Sequence, residues 1–460
     1  MNNALHTKLS SIHFLTAPWY RTVMLALTFF AFLPQGGLVH ATENCELSVR
    51  TNKSDAIYTV GEPVMFIIEL SPPSNNRVEP VRVNWRTSVD GQPPFHEGEA
   101  TLLDGKATVT GQLAQPGFLR CEVSLPAGAN DTPLKAVAGA AVSPTEIAPS
   151  LPAPDDFDDY WQAQIALLRS KPFDLSMTPL ETTASNSHLK IFDIQADAPG
   201  DIHVSGYLAY PKDATEGTLP GILVFHGAGV GGASLPWVEK WASLGMIVVN
   251  VNAHGIPNGQ SKEFYDKLKQ GELKDYSRKP WPNRDEVYFR KMFLRNLCAL
   301  DILAAQPQWD GHTLITYGTS QGGAQSLSVA ALDPRVSFAV AGVPAMCDHS
   351  GMTAGRATGW PRSVPVDSEG HPDSDALEAM RYYDMMNFAA RIQIPVAMTV
   401  GFIDKVCPPT SVYAAYNNLG GPKDIFNDLP TGHANSPEAT AYMKQKVIDH
   451  IQSRQDSPTR

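Results

Sequence analysis

The run Gly318-Thr319-Ser320-Gln321-Gly322 holds the residue types of a nucleophile on a sharp turn. A serine hydroxyl is too weak an acid to attack a carbonyl unaided; it needs a base, and the base needs an orienting carboxylate. Glycines flanking the serine permit a tight strand-to-helix turn that lifts its hydroxyl clear of a sheet. The helix N-terminus then points its unpaired N–H groups at developing negative charge. Asp404 and His433 follow in the order acid, then histidine. That order, Ser–acid–His, is the one found on α/β-hydrolase folds. Two backbone N–H groups are also needed for the oxyanion. Gln321, next after the serine, is placed to supply one, and Ala228 in Phe225-His226-Gly227-Ala228-Gly229 the other. Taken singly, these residues read as a helix-capping serine, a capping aspartate, a solvated loop histidine and a packing turn. Taken in order, they predict acyl transfer.

The surrounding elements must put these residues together. The apolar run His312 to Tyr317 reads as a buried strand before Ser320, and Gly323 to Leu332 reads as a helix after it. Gly221 to His226, Met246 to Asn252, Ser337 to Val343 and Pro395 to Ile403 read as further buried parallel strands. Helices are predicted at Pro236 to Leu244, Glu286 to Ala305 and Ser411 to Leu419. Asp404 then terminates a strand. His433 follows a strand-like run, Asp424 to Leu429, and the turn Pro430-Thr431-Gly432. Residues 155–460 therefore predict a doubly wound, mostly parallel α/β domain with reactive loops at the C-terminal strand ends.

Upstream the rhythm differs. Ala56 to Thr59, Pro63 to Leu70, Val81 to Arg86, Lys106 to Thr110, Phe118 to Leu125 and Lys135 to Val142 read as short strands separated by turn-formers. Residues 42–143 thus predict an immunoglobulin-like β-sandwich. The Pro-rich stretch 144–154 reads as a stiff linker. Residues 1–41 read as a signal peptide: Lys8 and Arg21 precede the apolar Val23 to Leu33, and small residues follow at Val39-His40-Ala41. Export to the periplasm or outside the cell is expected, with no membrane association after cleavage.

The chain of 460 residues carries a net charge of −11, and removal of a leader with two basic and no acidic residues makes the balance more negative. Without basic clusters, nucleic acid and anionic membranes are poor partners. Five cysteines are present. Cys45 and Cys121 each begin a strand-like run, and in an exported protein a disulfide between them would close a long loop. Cys298, Cys347 and Cys407 lie in apolar surroundings that favour buried thiols. No cysteine pair has metal spacing and no H-E-x-x-H helix occurs, so neither metal nor cofactor is expected.

From Pro154 to about His450 the sequence resembles the acetyl xylan esterase and cephalosporin C deacetylase family, family 7 of the carbohydrate esterases. P-D-D-F-D-D-Y-W at 154–161, F-H-G at 225–227, W-A-S-L-G at 241–245 and T-S-Q-G-G at 319–323 carry the likeness, with A-L-D-P-R-V at 331–336 and G-V-P-A-M-C-D at 342–348. Most specific is Y-Y-D-M-M-N-F-A-A-R-I at 382–392 running into G-F-I-D-K-V-C-P-P-T-S-V-Y-A-A-Y-N at 401–417. The resemblance implies a Ser320–His433–Asp404 triad acting on acetylated carbohydrates. Three positions depart from it: Ala228 stands where Tyr is common, Ala253-His254-Gly255-Ile256 replaces an R-G-Q motif, and Ala434 replaces the Glu after the histidine. A backbone donor at Ala228 survives a side-chain change. The lost Arg and Glu, and the added β-domain, leave the family's hexameric assembly open.

The same triad would serve a prolyl-oligopeptidase-type peptidase or a broader carboxylesterase, although no apolar lid or propeller repeat is visible. A third reading is a non-catalytic glycan-binding protein, for which Trp85 and Phe95 are the aromatic candidates. Trp237, Trp281 and Trp360 are candidates to line a sugar site.

Overall fold

A computed structural model describes residues 45–71, 80–90, 92–126 and 133–456, all within one compact unit. The expected signal peptide lies outside the described residues. The first eight strands are β1 (Glu46–Thr51), β2 (Ile57–Tyr58), β3 (Val64–Ser71), β4 (Val81–Val89), β5 (His96–Leu102), β6 (Lys106–Gly111), β7 (Gly117–Leu125) and β8 (Leu134–Val142). They form two sheets, β1-β3-β6 and β2-β8-β7-β4-β5, antiparallel apart from the short β2–β8 pairing. Alternation decides which faces meet. In β3, Val64, Phe66, Ile68 and Leu70 are buried while their neighbours are not, and they pack against Val83, Leu119, Val123 and Ala140 of the other sheet. Strand β5 has no counterpart in the sequence reading, because its H-E-G-E-A-T-L run is polar on both faces. Cys121 is buried in β7 and is not joined to Cys45, which precedes β1 in the opposite sheet.

The α/β region contributes α1 (Phe157–Leu168), β9 (Asp174–Pro179), β10 (Leu189–Ala198), β11 (Ile202–Pro211), β12 (Leu219–Phe225), α2 (Leu235–Ala242), β13 (Ile247–Val251), α3 (Lys262–Gln270) and α4 (Tyr288–Ala304). Then come β14 (Trp309–Thr319), α5 (Gln321–Leu332), β15 (Phe338–Gly342), α6 (Ser374–Arg381), α7 (Met385–Ala389), β16 (Val396–Gly401), α8 (Pro409–Asn417), β17 (Lys423–Asp428) and α9 (Pro437–Asp456). One sheet runs β17-β16-β15-β14-β12-β13-β11-β10-β9. The pairings from β17 through β16, β15, β14 and β12 to β13 are parallel, and those of β13 with β11, β11 with β10 and β10 with β9 are antiparallel. β12 and β13 are buried at every residue, as strands covered on both faces must be. This is an α/β-hydrolase fold. The sequence reading passes over the antiparallel β9 to β11: β9 and β10 are mixed in exposure, and the apolar run of β11 is interrupted by Ser205 and Gly206.

The Pro-rich stretch is not a free spacer. Ile147 is buried, and Asn417 donates to the carbonyls of Pro144 and Ile147 at 2.8 Å. Arg356 donates to Ala148 and Arg381 to Pro152, so the segment is strapped along the α/β region.

Candidate active site

Ser320 sits between the end of β14 and the first residue of α5, with φ 60° and ψ −122°. That backbone conformation is costly for a side-chain-bearing residue and persists only where surroundings impose it. The imposition is visible in the two flanking glycines. A Cβ on Gly322 would collide with the Phe225 carbonyl oxygen of β12, and one on Gly318 would collide with Gly322 itself. The Ser320 amide donates to Gly342 at 2.9 Å, and its carbonyl accepts from Ala345 at 3.0 Å, clamping the turn to the neighbouring strand end.

Asp404 lies in the loop three residues past the end of β16, which stops at Gly401 rather than running on to Ile403. His433 follows β17. The loops bring both to Ser320: Oγ stands 2.8 Å from His433 Nε2, and His433 Nδ1 stands 2.7 Å from Asp404 Oδ2. The other carboxylate oxygen accepts the N–H groups of Val406 at 2.7 Å and Cys407 at 3.0 Å. The Asp404 side chain is fully buried while that of His433 is 23% exposed, so a substrate can reach the imidazole but not the carboxylate. This arrangement can move a proton from Ser320 to His433 and hold the resulting imidazolium.

The loop after β12 runs against the serine, since a Cβ on Gly227 would stand 3.8 Å from Ser320 Cβ. Among the described residues, neither the Ala228 nor the Gln321 N–H donates to a protein acceptor, which leaves both available to an oxyanion. The loop's shape is set by residues to which the sequence assigns no role. His254, buried where the family motif has Arg, meets the Gly229 carbonyl through Nε2 at 2.8 Å and the Tyr288 hydroxyl through Nδ1 at 2.5 Å. Burial pushes its pKa down to about 4, so it serves as a neutral hydrogen-bonding post. Tyr276 receives the Gly229 N–H and donates to Gln321. Beside Ala434, Asn435 accepts from Thr399 at 2.5 Å and donates to Thr319 at 3.3 Å, linking the histidine loop to the residue before the serine. Only the departures at His254 and Ala434 gave a hint of these supports; Tyr276 and Tyr288 belong to no motif.

Asp404, Cys407 and His433 are the metal-ligating types that gather within 4.8 Å among the described residues. Burial and the Asp404 charge push the Cys407 thiol up, keeping it protonated, and a ligating sulfur is a thiolate. His433 and Asp404 are already bonded to each other, so the cluster suits proton transfer rather than a metal.

The aromatic candidates divide. Trp237 packs partly buried on the core behind α2. Trp281 and Trp360 pack against the main core, and Trp360 also lines a groove of about 280 Å³ with Arg278, Arg362 and Lys405. Trp85 packs toward the sandwich core, its ring lying over Gly98 of β5, while Phe95 is exposed.

Comparison with known proteins places the chain among esterases. The sequence profile of the family described as acetyl xylan esterase (AXE1) matches residues 145–453. Acetyl esterase Axe7A of Xylanibacter ruminicola is 31% identical over 378 residues, covering 81% of this chain and 83% of that protein. A match of that length is longer than the α/β region and so extends into the β-sandwich. Among solved structures, acetyl xylan esterase 1 from a Thermoanaerobacterium species is 25% identical with a TM-score of 0.54, over 67% of this chain and 97% of its own. An acetyl xylan esterase from a Paenibacillus species has a TM-score of 0.57 over 66% of this chain and 98% of its own; at 24% identity that likeness concerns the fold.

Proposed function

The chain belongs to the acetyl xylan esterase family and is a carboxylic ester hydrolase; from that premise we propose that it removes acetyl groups from carbohydrates through a Ser320–His433–Asp404 triad. The observation that carries this reading is the unbroken hydrogen-bonded chain from Ser320 Oγ through His433 to a buried Asp404. His433 Nε2 takes the serine proton as Oγ attacks the acetyl carbonyl. The Ala228 and Gln321 N–H groups receive the oxyanion, and Asp404 holds the proton on Nδ1 and the imidazolium that forms. His433 then returns its proton to the departing sugar oxygen, leaving acetyl-Ser320. A water deprotonated by His433 attacks that ester, acetate leaves, and the serine regains its proton.

Export is part of the proposal and rests on the N-terminal leader pattern. The test of the chemistry is Ser320→Ala against p-nitrophenyl acetate, with circular dichroism to verify the fold. Loss of about 10³-fold or more in kcat is expected, together with an acetylated Ser320 peptide in acid-quenched wild type. A folded Ser320→Ala enzyme that keeps most of the rate would overturn the assignment. Acetate release from acetylated xylan, pectin and small acetylated sugars, beside a chain-length series of p-nitrophenyl esters and a peptide amide, separates carbohydrate deacetylation from broader esterase or peptidase activity.

A further inference from the structure

A buried arginine in a β-sandwich strand needs an explanation, because an arginine is retained in such a place only when its charge and donors are met. Arg120 of β7 is 7% exposed. Its Nε donates to Glu122 at 2.9 Å, and its Nη1 donates across to the α/β region, to the carbonyl oxygen of Ile403 at 2.6 Å. Glu122 in turn pairs with Lys405 and accepts from Arg86 Nε at 2.6 Å. Ile403 and Lys405 are the two chain neighbours of Asp404.

The residue before them is held from the same side. The Phe118 ring of β7 meets Phe402 edge-on with centroids 5.0 Å apart. Gly139 of β8 approaches the Phe402 carbonyl so closely that any Cβ there would collide with it. Phe402, Ile403 and Lys405 therefore rest on the sandwich. On its other side the same loop presents the Val406 and Cys407 amides to the Asp404 carboxylate, and the Ile403 N–H donates to Thr431, ahead of His433. The loop lies past the end of β16, so no sheet pairing fixes the Ile403 carbonyl there.

We propose that Arg120 is a positioning residue for the esterase: by gripping the Ile403 carbonyl, with Glu122 gripping Lys405, it sets the loop that aims Asp404 at His433. The β-sandwich is then part of the catalytic apparatus rather than a spacer. This rests on Asp404 acting as the triad acid. Burial by itself would raise the Glu122 carboxyl, but hydrogen bonds from Lys405, Arg86 and Arg120 overcome it and hold it at about 2, so the grip stays charged across the neutral range.

The test compares kcat and KM for p-nitrophenyl acetate in the full chain carrying Arg120→Ala, Asp404→Asn, both together, or Val83→Ala. Arg120→Ala should lower kcat about 10- to 100-fold with KM within about twofold, the scale of a misplaced catalytic group. In the Asp404→Asn background it should cost no further rate, since it acts through that carboxylate. Val83→Ala loosens the sandwich core away from the loop and should lower Tm with kcat unchanged. Full kcat in Arg120→Ala, or an equal fold loss in both backgrounds, would overturn the proposal while the triad stands. Full kcat in Asp404→Asn would overturn the triad reading and this one with it. Should Arg120→Ala fail to fold, Arg120→Met keeps the stem, drops the donors and is read against the same outcomes.

Discussion

The Tyr276 hydroxyl donates to the Gln321 side-chain oxygen at 2.8 Å while receiving the Gly229 N–H at 3.3 Å. One phenol thus ties the loop after β12 to the residue after Ser320, the two segments that would supply the oxyanion donors. Tyr276→Phe keeps the ring in place and cuts that tie. We expect kcat for p-nitrophenyl acetate to fall roughly tenfold with little change in Tm, less than the loss from deleting a donor outright. An unchanged kcat would show that the loop holds its shape without the phenol.

Gly322 lies against the Phe225 carbonyl with no room for a methyl group, and that carbonyl belongs to a fully buried strand that cannot yield. Gly322→Ala should therefore push the start of α5 off β12 and displace Ser320. The expected outcome is a loss of at least about 10²-fold in kcat, or failure to accumulate soluble enzyme. A well-folded Gly322→Ala enzyme at wild-type rate would contradict the close approach.

Asp90 lies buried in the turn after β4, where Thr410 faces its carboxylate. Burial pushes its carboxyl up to about 7. The folded state therefore holds this proton more tightly than the unfolded chain does. Its contribution to stability is present below about pH 4 and is lost as pH rises toward about 7. Denaturant midpoints at pH 5 and pH 8 should show wild type losing more stability on going alkaline than Asp90→Asn, by on the order of 2 kcal/mol. Parallel pH dependences would refute the assignment of that loss to Asp90.

Cys121 is buried in β7, and burial, with the nearby Glu122 charge, pushes its thiol up to about 12. It is joined to no other cysteine. Dithiothreitol should accordingly leave Tm unchanged, and labelling of Cys121 should require denaturant. A fall of several degrees on reduction would reveal a disulfide instead.

The sequence by itself determined which residues could do the chemistry. Ser320 between glycines, Asp404 after an apolar run and His433 after the next element are readable because strand, turn and nucleophile are neighbours in the chain. Inner strands such as β12 and β13 are equally readable, since full burial demands unbroken apolar runs. Tertiary structure decided what holds those residues in place. Arg120 at Ile403, Tyr276 at Gln321 and His254 at Gly229 join segments far apart in the chain through single hydrogen bonds. Such bonds depend on how sheets and loops pack, and packing leaves no periodicity or spacing in the sequence to be read. The Pro-rich segment strapped along the α/β region, and the two sheets that separate Cys45 from Cys121, follow the same logic. Composition suggested what each segment favours locally, and only the assembled sheets decided which neighbour it met.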